Sequence, residues 1–460
     1  MTAFVTRSQS LLNATRFIED YTSDENFLYL AIAKPDPWND DLTSSVDGTI
    51  PIANDSQTSQ QRFRDGMIAA KRVLSTKFAK VIPRIDWASG TVYKAWDDQE
   101  PAFFDNSLAA SNFYVLTSSF DMYKCIRAGT GSSLIQPSHT TTEPQVYGDG
   151  YVWHYLTRLR PFDAVTFLNS QFIPIVNSSS VEHIAHEAAC ESELSGGIFR
   201  IVVTNGGSGY VSAPTVTIEG PGTGATATAT IVGGAVTEIN IDTSSSILVH
   251  GTGYTNANVV IGAPPSGGTQ ATARAVLSPK GGHGTNIENE LFAYNVEIAV
   301  DLEYDEEGTF ITENDYRQIA LIRNLVEWGE DPEIFAQGTS YNALSAMTLN
   351  NVSGGDFASD NVIRQTSGTN TTARAYVDQS NSDSPYTIWY HQNYKTGWAA
   401  FEIGESIANG NGSGAVTGVI ATKIDPQIDP QSGEIIFIEN RAKIVRSSTS
   451  REELRVIIEF

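Results

Sequence analysis

Three side chains in this 460-residue chain have the spacing of metal ligands: His183, His186 and Cys190, at i, i+3 and i+7. On a helix these positions share one face, and imidazole and thiolate are the donors that zinc prefers. The surrounding HIAHE order is neither HExxH nor HxxEH, and the sequence offers no fourth ligand. A solvated connector helix is therefore expected here, and no metal. Asp301, Glu303, Asp305, Glu306 and Glu307 form an acidic run that could attract calcium, but it lacks the Gly and alternating Asp/Asn of a calcium loop. It reads as a solvated strand end. Glu402 and Glu405 could be imagined as a glycosidase pair. In a chain with 53 carboxylates, two close together carry little information. Gly206, Gly207 and Gly209 are not a phosphate loop, because no Lys-Ser/Thr follows them. There is no Gly-x-Ser-x-Gly nucleophile elbow. His283, in Gly281-Gly282-His283-Gly284, reads as a turn residue. Trp38, Trp87, Trp96, Trp153, Trp389 and Trp398 read as core or interface anchors. Trp389, Tyr390 and Trp398 are also candidates for stacking on a sugar. The expectation is thus no catalytic, cofactor or metal residue.

Bulk properties narrow the class further. The net charge is −24, with only 29 Lys and Arg, well spread. A phosphate-binding face needs those residues clustered, so nucleic acid and anionic membrane are not expected partners. The longest apolar run, 27–33, is far short of the ~20 residues of a membrane helix. The first residues have no continuous apolar segment like that of a signal peptide. Cys125 and Cys190 alone cannot make a disulfide framework, and they fit a reducing cytoplasm.

The elements that would carry these residues are mostly strands. Hydrophobic residues are 40% and charged residues 18% of the chain, too few charges for helical bundles, while Thr, Val, Ile and Tyr alternate in many places. A helix is expected over 2–21, with Leu11, Ala14 and Ile18 on one face, followed by a buried strand over 26–33. A second helix is expected to run from about 59 to before Pro83, with Phe63, Met67, Ala70 and Leu74 on one face. Gly148-Asp149-Gly150 should turn a hairpin into a strand with Tyr151, Trp153 and Tyr155 on one face. From Gly196-Gly197 to Gly282 the chain is Gly-, Thr- and Ala-rich and repeats itself. Gly209-Tyr210, Thr215-Val216-Thr217-Ile218 and Ala225-Thr226-Ala227 answer to Gly253-Tyr254, Asn258-Val259-Val260-Ile261 and Ala271-Thr272-Ala273. A second Gly/Ser/Thr/Asn-rich block covers about 339–422. Two closing strands, 434–439 and 454–460, are expected to form a polar-turn hairpin.

The fold class expected is mainly β with a few helices, multi-domain, with β-sandwich-like modules inserted into a discontinuous α/β frame. The frame would comprise 1–196, 281–338 and 423–460, and the modules 197–280 and 339–422. Gly-rich joints suggest that each module could be deleted without unfolding the frame.

Five stretches, in order, resemble the baseplate wedge subunit of T-even-like contractile-tailed phages. They are Lys34-Pro35-Asp36-Pro37-Trp38, then Val81-Ile82-Pro83-Arg84-Ile85-Asp86-Trp87, then Gly148-Asp149-Gly150-Tyr151-Val152-Trp153 with Tyr155-Leu156. Tyr316-Arg317-Gln318-Ile319 with Leu321-Ile322, and Ser432-Gly433-Glu434-Ile435-Ile436-Phe437-Ile438-Glu439-Asn440-Arg441, complete the set. They frame about 300 residues, and the two modules stand where the family has shorter connectors. The resemblance implies a non-enzymatic virion protein in the tail baseplate, assembled in the host cytoplasm. It also implies a homodimer whose partners are other wedge subunits and the peripheral fibre network. The inserted modules keep a receptor- or glycan-binding tail protein open as the alternative, and a tail-associated glycan hydrolase as a third reading.

Overall fold

The computed structural model describes residues 6–23, 25–35, 38, 49–97, 112–175, 188–190, 195–241, 250–265, 267–332, 334–410 and 415–460. The fold is mainly β and multi-domain. The chain forms two compact units. One comprises 1–15, 79–297 and 457–460, and the other 16–78 and 298–456.

In the second unit a five-stranded sheet gathers segments far apart in sequence. Its order is Ser340–Asn342, Met67–Arg72, Leu28–Ala33, Asn314–Arg323 and Glu434–Arg446. The central strand Leu28–Ala33 is buried along its whole length and pairs antiparallel on both sides, Ala31 facing Ala320 and Ala70. Alanines there let the sheet close on Phe63, Tyr29 and Ile322. The expected long second helix is half right. A helix covers Gln57–Asp65, capped by Ser56 Oγ accepting from the Ser59 N–H at 3.1 Å, but Met67–Arg72 is a strand. The 4-3-4 spacing of Phe63, Met67, Ala70 and Leu74 fits a helix face. A strand buried on both faces fills its positions with the same small and apolar residues, and Gly66 stops the helix before it reaches them.

Residues 345–424 in the same unit close a six-stranded antiparallel barrel, a barrel rather than a sandwich. Its interior holds Met347, Ile363, Ala375, Val377, Ile388, Ile407 and Ile420, all buried. The two closing strands are Glu434–Arg446 and Arg451–Glu459, and they are not a paired hairpin. The first joins Asn314–Arg323, while the second lies beside Asn295–Glu303, where the Tyr304 N–H donates to the Ser450 carbonyl at 2.9 Å. Each strand thus joins a partner distant in sequence and not its neighbour across the four-residue turn.

In the first unit a four-stranded sheet carries the hairpin anticipated at 148–150. Gln145–Val146 turns through Gly150, whose φ of 86° needs glycine, into Val152–Arg158. Tyr151 and Trp153 stack on its inner face with Tyr93. The repeat module has a sheet of six strands, in the order Val216–Glu219, Asn258–Ile261, Thr272–Leu277, Ile198–Asn205, Ala235–Ile241 and Ala227–Val232, and a small sheet pairing Thr223–Ala225 with His250–Thr252. Equivalent strands of the two copies meet, Val216 opposite Ile261 and Ile239 opposite Ile201. The sheet therefore has a pseudo-twofold axis between the copies. The module has its own core of Ile198, Tyr210, Ile239, Tyr254 and Ile261, but it is also fastened to the rest of the unit. Val276 packs into the core containing Ile82, Phe113 and Leu291, and Phe199 packs on Ile126 and Val152. Buried Asp97 accepts from Arg274 at 3.1 Å and pairs with Arg200.

Candidate functional site

Most of the candidate positions that are described make local packing and polar contacts. His183 and His186 lie outside the described residues, and Cys190 is a buried thiol in no disulfide, with Sγ 3.9 Å from His154 Nε2. Nearby, Lys124 and Glu290 form an ion pair with both side chains shut from solvent. The Glu290 carboxylate also accepts from the Gly284 N–H at 2.7 Å and the Asn286 N–H at 3.3 Å, which holds the short helix Ile287–Glu290 in place. Lys124 Nζ stands 5.1 Å from the Trp96 ring, and His283 Nδ1 is 4.0 Å from Glu290. Burial, and then the Lys124 charge, hold His283 well below its usual pKa, so it is neutral here. With no opening to solvent, this cluster is an internal polar brace. Among the described residues, no group of three or more His, Cys, Asp or Glu is placed to hold a metal.

Three of the five acidic residues of the run face cations. Asp301 binds Lys77 at 2.6 Å, Glu306 binds Lys71 at 2.8 Å, and Glu303 faces Arg451 at 3.6 Å. Glu402 accepts from Gln365 Nε2 at 2.7 Å and from the Thr369 and Asn370 N–H groups at 2.9 and 3.2 Å, and also from the Thr369 hydroxyl. These donors lower its pKa, the reverse of what a general acid requires. Gly206, Gly207 and Gly209 pack the repeat module against backbone at Val236, Thr269 and Gly268. Among the tryptophans, Trp96 and Trp153 are core, Trp87 donates to Ser133 at 3.3 Å and Trp38 to the Arg441 carbonyl at 2.6 Å. Among the described residues, no helix is long and apolar enough to cross a membrane.

What the second unit does present is a groove along helix Gln57–Asp65. Three adjoining hollows of 280, 650 and 350 Å³ all have Asp65 on their walls; the first two share Arg62 and Tyr394, and the last two share Arg64 and Trp398. The helix is polar nearly all round, with Phe63 its only buried residue. It is held by Arg64, which donates to the main-chain carbonyls of Pro430 at 3.0 Å and Gly433 at 2.8 Å and also to that of Ser432. Gln57, Thr58, Gln61 and Arg62 are left exposed. Opposite them the loop after strand Tyr386–His391 carries Tyr394 and Trp398, which are 52% and 61% exposed, and Trp328 is 47% exposed on the third hollow. Of the proposed sugar-stacking trio, Trp398 and Tyr390 line the groove and Trp389 does not. Tyr394, Trp328 and Arg62 escaped sequence reading. A legible signal was the placing of aromatics in the Asn/Gly-rich stretch 393–398, where no core pattern calls for them.

No model of a known protein family matches the chain, and no curated protein matches it.

Proposed function

We propose that the chain is a structural, non-enzymatic virion protein, a baseplate wedge subunit of a contractile-tailed phage. It acts by protein–protein contact and relays conformational change during infection. One observation carries this reading: all five stretches behind the resemblance lie outside both the repeat module and the barrel. The Lys34 stretch follows the central strand Leu28–Ala33, and the Val81 stretch begins in strand Phe78–Pro83. The Gly148 stretch makes the hairpin, and the last two stretches fall on the paired strands Asn314–Arg323 and Glu434–Arg446. The resemblance thus follows the frame, while the chain's own additions form separately cored β-bodies, as expected of a scaffold that has gained peripheral modules. The partners are a second copy of the chain, other wedge subunits and peripheral fibre-network proteins.

The reading is tested by sedimentation of the purified chain, alone and co-expressed with the products of the reading frames that flank its gene. A dimer that enters a larger complex with those products is expected. A monomer at micromolar concentration that joins none of them would refute the assignment.

A further inference from the structure

We infer that the groove along helix Gln57–Asp65 binds an oligosaccharide chain, independently of any assembly role. The groove joins two chemistries that sugars need together. A pyranose ring has a face of C–H bonds, which packs on an aromatic ring, and a rim of hydroxyls, which need neutral donors and acceptors. Tyr394, Trp398 and Trp328 supply the rings, about half exposed or more. Gln57 and Thr58 supply uncharged hydrogen-bonding groups along one helix, and Gln60 and Gln61, whose amide nitrogens donate to Asp55 at 2.7 Å and to Asp65 at 2.8 Å, add their side-chain carbonyls as acceptors.

The platform is also built in advance. Asn393 and Thr396, both buried, lock the loop that carries the rings. Asn393 Oδ1 accepts from the Lys395 N–H at 2.9 Å, and Thr396 Oγ1 accepts from the Asn393 N–H at 2.8 Å. Buried polar groups thus hold two large aromatics outward, against the hydrophobic preference of those rings. Arg62 is exposed and lies 5.2 Å from the Tyr394 ring. It is placed to receive a carboxylate on the sugar. A protein partner is the weaker occupant, since the core of a protein interface is depleted of charge and this wall carries Arg62, Arg64 and Asp65 among its glutamines.

The test uses the full chain and defined oligosaccharides: neutral gluco- and chito-oligomers, and oligomers of galacturonate and alginate. Tryptophan fluorescence and calorimetry report binding. Saturable binding of at least one oligomer at up to millimolar concentration is expected. Trp398→Ala and Tyr394→Ala should each weaken it by at least about tenfold without lowering the melting temperature, because both rings are exposed. Arg62→Gln should weaken only the acidic oligomers. No saturable binding, or binding that survives both aromatic substitutions, overturns the inference. So does a Trp398→Ala variant that binds no sugar but turns a dimer into a monomer, since the groove would then be an interface between copies. The dimer expected of a wedge subunit should survive Trp398→Ala, so failure here leaves that assignment standing.

Discussion

The Tyr210 hydroxyl donates to the carbonyl of Gly262 at 3.1 Å, joining the first copy of the repeat to the end of the equivalent strand in the second. The same hydroxyl accepts from the Ala271 N–H at 2.9 Å. Tyr254 returns the contact from the second copy, its ring lying so close over Gly222 that a Cβ there would come within 2.4 Å of it. Each copy therefore completes the other's core, and half a module should not fold. Tyr210→Phe leaves the buried Ala271 N–H and the part-buried Gly262 carbonyl without that partner, at a cost of about 1–3 kcal/mol. Gly222→Ala should cost a similar ~1–3 kcal/mol by overpacking. Urea unfolding of the full chain reads both; wild-type midpoints in both variants would show that the copies are independent.

The Lys124–Glu290 pair tests whether the internal brace is structural. Lys124→Met leaves a carboxylate buried without its cation and should destabilise the first unit by about 3–5 kcal/mol. Adding Glu290→Leu removes the stranded charge and should recover much of that loss. A double-mutant cycle by thermal unfolding would expose a different role if the second substitution only deepened the damage.

Burial pushes both His139 and His250 down to about 4 from the ordinary 6.5. Phe199, 4.1 Å from the His250 ring, is part of that apolar cover. The folded chain then binds fewer protons than the unfolded chain between those values. Stability should be full above pH 6.5 and fall as pH drops toward 4. Allowing for partial solvent exposure, the two together should lose on the order of 2 kcal/mol. A His139→Gln, His250→Gln variant should show a shallower acid slope in urea titrations, and an unchanged slope would assign the acid loss elsewhere.

Deleting 198–280 tests how far the repeat module is fastened. Asp97 would lose both arginines, and Ile126 and Val152 would lose Phe199. The deletion should lower the melting temperature of the first unit, and Asp97→Asn in the deleted chain should restore part of it by removing a buried charge that has lost both arginines. An unshifted melting curve on deletion would show that the fastening contributes little.

Strand-rich character, the 148–150 hairpin and the repeat were legible because each has a short-range signature: alternation, Asp-Gly, and self-similarity. The switch from helix to strand at Gly66 was not, because Met67–Ala70 suits either state and only pairing with Leu28–Ala33 decides. The separation of the last two strands depends on distant partners in the same way. The groove was legible only at Trp398 and Tyr390. Arg62 and Trp328 join Tyr394 and Trp398 through tertiary packing that places a helix from residues 57–65 against a loop more than 300 residues later in the chain.

The assignment as a baseplate wedge subunit is tested most directly by immunogold labelling of intact contractile-tailed particles with antibodies to this chain. Gold should gather at the distal end of the tail, on the baseplate. Gold on the capsid or tail sheath, or particles whose denatured proteins contain no trace of the chain, would contradict it.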